Sequence, residues 1–115
     1  MGVSDGYINY VLDLFAGLGS LRVKRMFGAA GIYCDELFFA ILVEDELYLK
    51  VDDRNRRDYE RLGLGPFTYG MNNGRSATMS YYPVPADILE DPQRLHAWAR
   101  KAIDAALRTK TAQRS

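Results

Sequence analysis

The chain has 115 residues, 48% of them hydrophobic, enough to close one core without disulfides but too few for a second independent domain. With 15 Lys and Arg against 15 Asp and Glu, no overall field draws in nucleic acid or an anionic membrane, and any such contact must come from a local patch. The single cysteine, Cys34, excludes an internal disulfide; with no leader-type segment and no apolar run of membrane length, a cytoplasmic protein is expected.

From Ser4 to Ala16, the apolar residues Ile8, Val11, Leu12 and Phe15 recur at helical spacing, with Ser4 or Asp5 placed to accept a first-turn N–H. Tyr7, Tyr10, Leu14 and Leu18 widen the apolar stripe of this helix beyond what one sheet covers. Between Val23 and Asp53 short apolar runs alternate with the polar turns Cys34-Asp35-Glu36 and Glu44-Asp45-Glu46, the pattern of a β-meander. Gly28 and Gly31 are expected to bend or bulge the chain between the first two strands. The run Leu37 to Val43 has no polar residue on either side, so as a strand it belongs at the centre of the sheet. Leu47, Leu49 and Val51 alternate with Tyr48 and Lys50, which puts one side in the core and the other near solvent.

Asp52 or Asp53 is placed to cap a short, polar helix running to Leu62, with Gly63 as its left-handed stop. A second hairpin follows, in which Phe67, Tyr69 and Met71 face Ala77, Met79 and Tyr81 across the turn Asn72-Asn73-Gly74. Pro83 and Pro85 end the strand, and Asp91-Pro92 opens a last helix whose stripe is Leu95, Trp98, Ala99, Ala102, Ile103, Ala106 and Leu107. The fold class is α+β, two layers, with an antiparallel sheet made of meander plus hairpin and helices at both ends of the chain on one side of it. One domain is expected over residues 1–108 and a flexible tail over 109–115.

Chemistry-bearing patterns are sparse. One Cys and one His do not make a zinc set, Cys34 reads as a small half-buried hydrophobe, and His96 falls off its helix stripe as a surface residue. The acidic pairs sit at turns and a helix cap, and Gly63-Leu64-Gly65 lacks the lysine of a phosphate loop. No catalytic residue, metal ligand or cofactor site is assigned. A deep pocket lined by Lys50, Tyr33 and a carboxylate is the arrangement that would raise a small-molecule or enzymatic function.

Two surfaces are candidates. Arg22, Lys24 and Arg25 precede or enter the first strand, and Arg54 and Arg57 decorate the short helix; together they offer a basic patch for phosphates, unless Asp52, Asp53, Asp58 and Glu60 neutralise it. The other is the sheet face away from the helices. If Leu47, Leu49, Val51, Met79 and Tyr81 face the helices, then Tyr48, Lys50, Thr78, Ser80 and Tyr82 face away, as a candidate protein interface that a two-fold dimer would bury. The rival is that the last helix, or the arm before it, folds over this face and completes the core.

The stretches Arg25-Met26-Phe27-Gly28 with Gly31-Ile32-Tyr33, Leu47 to Asp52, Met79 to Pro85, and Trp98-Ala99 together resemble the N-terminal domain of the TfoX/Sxy competence regulators, over nearly the whole chain. That resemblance implies a two-layer domain similar to type III secretion chaperones, a homodimer, and a link to regulating bacterial genes for DNA uptake. It carries no catalytic motif. The full regulators add a C-terminal helical domain that is not in this sequence, which puts competence control itself in doubt. The expectation is a non-enzymatic interaction domain, a homodimer or an adaptor for a transcription component, with direct nucleic-acid binding as the alternative.

Overall fold

Local rules place the elements. Ser4 Oγ accepts the Tyr7 N–H at 3.1 Å and opens α1, Asp5–Leu14. Four strands then follow with only short turns between them: β1 Leu21–Met26, β2 Ala29–Cys34, β3 Leu37–Val43 and β4 Glu46–Lys50. After α2, Arg56–Glu60, come β5 Thr68–Gly70, β6 Ser76–Thr78 and β7 Tyr81–Pro83, then α3 Ala86–Leu89 and α4 Pro92–Arg114. This computed structural model describes residues 2–26, 28–70, 76–78 and 80–114.

The main sheet is antiparallel in the order β1-β2-β3-β4-β7, so the all-apolar β3 is its central strand, as its composition demands. The expected second hairpin pairs Thr68 with Thr78 and Gly70 with Ser76, but it forms a separate two-stranded sheet. Its turn, Asn72-Asn73-Gly74, and Met71 and Met79 lie outside the described residues. Only β7 joins the main sheet, and its outer edge is closed by the Phe67 N–H donating to the Tyr81 carbonyl at 2.8 Å. Gly28 adopts φ +82° beside the first turn, whereas Gly31 is an ordinary strand residue, and the irregularity falls between Ile32 and Tyr33, opposite Phe39.

That bulge turns Phe39 toward the helices. There it meets Phe15, the residue that caps the end of α1, ring centroids 5.2 Å apart, within a core of Val11, Ile32, Leu42, Leu49, Ile88 and Leu95. Leu95, Ala99, Ala102 and Ala106 repeat at helical spacing along α4, and the three alanines let its backbone lie close to β3 and β4. α1, α3 and α4 thus occupy one layer and the sheet the other.

Several sequence expectations need correcting. Tyr82 pairs with Leu49 and Tyr81 with Lys50, so Tyr82 faces the helices and Tyr81 faces away, the reverse of the predicted alternation. Tyr82 packs with Val51, Tyr59 and Trp98 in a small second core. Tyr59 makes α2 an anchored element rather than a polar, exposed one. Its hydroxyl has no hydrogen-bond partner among the described residues, and burial raises its pKa. His96 is half-buried, with Nε2–H donating to the carbonyl of Leu14 at 2.8 Å; it satisfies one of the orphan carbonyls at the end of α1. Cys34 is buried outright, and burial, helped by the charge of Asp35, pushes its thiol pKa up, which makes it a poor nucleophile. Finally, α4 runs to Arg114.

Candidate interaction face and cleft

The pairing register defines the sheet face away from the helices as three rows. Met26, Ala29, Val43 and Glu46 form one; Lys24, Gly31, Ile41, Tyr48 and Pro83 the next. The third holds Arg22, Tyr33 and Phe38, and on the far strands Lys50 and Tyr81. Its side chains stack on one another: the Arg22 guanidinium lies 4.3 Å from the Tyr33 ring centre, Tyr33 stacks on Phe38 at 5.0 Å, and Phe38 meets Tyr81 at 5.4 Å. The Lys50 ammonium closes the far end, 5.3 Å from the Tyr81 ring. The result is an aromatic row with a cation at each end, in which ring faces are used by neighbours rather than left open for a flat ligand.

Side chains already cover part of this face. Ile41 and Tyr81 are buried, Tyr33, Phe38, Val43 and Tyr48 are half-buried, and Phe67 from the arm after α2 rests edge-on against Tyr48 at 5.0 Å. The arm that covers the β4 side is thus the one after α2, whereas α4, which the rival expectation would fold over this face, lies on the opposite face of the sheet. The large apolar residues most open to solvent among those described, Tyr10, Leu62 and Leu107, lie elsewhere, on or beside the helices. Of the predicted interface residues, Tyr48 and Lys50 share this face, Ser80 is exposed just before β7, Thr78 lies in the separate hairpin, and Tyr82 is on the helix side.

The basic residues do not form one patch. β1 is separated from β4 by two strands, about 14 Å at the usual spacing, and Arg54 and Arg57 follow β4. Arg25 donates to the Val3 carbonyl and pairs with Asp5. Arg22 grips Glu36 through Nε at 3.1 Å and Nη2 at 2.9 Å. This fork holds a turn in which Asp35 and Glu36 both have positive φ, 50° and 67°, with Asp35 in addition exchanging hydrogen bonds with Ser20 in both directions. Lys24, Arg54 and Arg57 take part in no ion pair among the described residues.

A second fork lies at the far side. Asp52 accepts Arg108 Nε at 2.6 Å and Nη2 at 2.9 Å, and these bonds hold its carboxyl below its usual pKa. Next to it the buried Asn55 accepts the Asp52 N–H at 2.8 Å and donates to the Lys50 carbonyl at 3.1 Å. No periodicity marks Asn55 or Arg108 in the sequence; an amide just ahead of a short helix is the only available hint. Between the two forks a cleft of about 400 Å³ is lined by Glu36, Phe38, Lys50, Tyr81 and, from α4, Ala106 and Lys110. It has the lysine and carboxylate of the arrangement named from sequence, with Tyr81 in the place of Tyr33. Among the described residues no three His, Cys, Asp or Glu side chains converge to hold a metal, and no helix is long and apolar enough to cross a membrane.

The family model of the TfoX N-terminal domain matches residues 13–106, from the end of α1 through most of α4. The chain belongs to the TfoX N-terminal domain family. That TfoX span includes the whole sheet, the aromatic row and both walls of the cleft except its α4 end at Thr109 and Lys110. The chain is also 27% identical over 99 residues to Protein Sxy of Escherichia coli (strain K12), an alignment covering 86% of this chain and 47% of that protein. It spans about half the length of that curated relative. The TfoX/Sxy family is of the competence-regulator type, and the α+β fold expected from the resemblance is the one found.

Proposed function

We propose that this chain is a non-enzymatic regulatory domain that acts by protein contact, as a homodimer joined through the sheet face opposite the helices. One observation carries this: the β1–β3 side of that face presents half-buried Met26, Ala29 and Val43 in its first row and half-buried Tyr33 and Phe38 in its third, while the Phe67 arm rests against Tyr48 on the β4 side. Family membership supports a role in gene regulation of the competence type, and Protein Sxy supports it at the level of the shared half. Direct nucleic-acid contact has less behind it, since Arg22 and Arg25 are engaged within the chain and the charges on β1 and α2 are far apart.

Sedimentation equilibrium of the full chain at micromolar concentration tests the proposal. The expected mass is twice that of the chain, and Val43→Glu, on the rim of the face, is expected to return it to the monomer with an unchanged circular dichroism spectrum. A wild-type monomer across the concentration range would overturn it, as would a dimer indifferent to Val43→Glu.

A further inference from the structure

The cleft between the forks has an unusual charge balance. Each of its nearby carboxylates is already taken: Glu36 by Arg22 and Asp52 by Arg108. Its two ammonium groups are not, for neither Lys50 nor Lys110 joins an ion pair among the described residues, although Lys110 acts through space on Glu36 and Asp52 on Lys50. Lys50 is half-buried and loses hydration there, which lowers its ammonium pKa, and its ammonium lies over the ring of Tyr81. A desolvated cation without an anion is costly, and half-buried Lys50 with exposed Lys110 beside it, over an apolar wall of Phe38, Tyr81 and Ala106, describes half of a recognition site. Its volume, about 400 Å³, is that of a small-ligand pocket.

We infer that this cleft binds a small organic anion, with a carboxylate or phosphate head between Lys50 and Lys110 and an apolar body against Tyr81 and Phe38. The two lysines belong to different layers, β4 and α4, so the head group bridges the sheet to the helix end. Ring-stacking is not required of the ligand, because the Tyr81 and Phe38 faces are engaged with each other and with Lys50. The inference stands apart from the dimer proposal, since binding is read at the cleft whatever the mass of the protein.

The test is a titration of the full ¹⁵N-labelled chain with benzoate, with phenyl phosphate and with inorganic phosphate, followed by amide shifts. Saturable shifts at Phe38, Lys50, Tyr81, Ala106 and Lys110 with benzoate, phenyl phosphate or both are expected, and the tighter of the two identifies the head group. Inorganic phosphate, lacking an apolar body, is expected to bind at least tenfold more weakly. Lys50→Met, which keeps the stem and removes the charge, and Lys110→Ala, at the exposed helix end, should each weaken binding at least tenfold. Shifts that do not saturate, that centre on Arg54 and Arg57, or that survive both substitutions would overturn the inference.

Discussion

Phe38 and Phe39 are neighbours in the chain and differ in almost everything that holds them. Phe39 is sealed beneath α1 against Phe15, while Phe38 lies on the other side of the sheet in a row of side chains that cover one another. An all-apolar strand therefore does not imply two equivalent layers: one face is buried by other elements, and the opposite face is shielded by lateral stacking capped with charge. The largest expected effect follows. Phe39→Ala should cost about 3–5 kcal/mol in urea denaturation, and Phe38→Ala roughly half as much, because its site can collapse toward solvent. Equal losses would break the distinction and mean that the second face is as enclosed as the first.

A smaller effect sharpens the picture of the row itself. A methyl at Gly31 would stand 2.7 Å from Phe38 Cε1 and 3.0 Å from Met26 Cε, so Gly31→Ala must displace the Phe38 ring from its place in the row. A loss of about 1–2 kcal/mol is expected, with a change in the near-ultraviolet circular dichroism of the tyrosines. No change in that spectrum would show that the row is not maintained in solution. The smallest effect lies on the helix side. Tyr59 keeps a buried hydroxyl with no partner among the described residues, so Tyr59→Phe should leave stability unchanged or raise it by up to about 1 kcal/mol, read from the melting temperature. A clear loss would mean that the hydroxyl is satisfied after all.

Much of the fold was legible because it obeys short-range rules. The capped first helix, the meander, the central position of Leu37 to Val43 and the start of α4 at Asp91-Pro92 follow from period, turn residues and caps. The site was legible only in part. Tyr48 and Lys50 were placed on the correct face by strand alternation, but Tyr82 was not, since the facing of β7 depends on its register with β4, a long-range fact that alternation does not carry. The basic patch split for the same reason, because only sheet order shows how far β1 stands from the segment after β4. Both forks join residues distant in sequence, Arg22 with Glu36 and Arg108 with Asp52, and nothing local announces such pairs.

The order of the sheet also bears on how the chain assembles. β1 to β4 are sequential neighbours joined by short turns, so bringing them together forfeits little chain entropy, and each hairpin templates the next. β7 reaches β4 only after α2 and the β5–β6 hairpin have been traversed, a much longer closure. Lys50 and Tyr81 are supplied one by each side of that long closure, so the cleft they line exists only where β4 and β7 are paired.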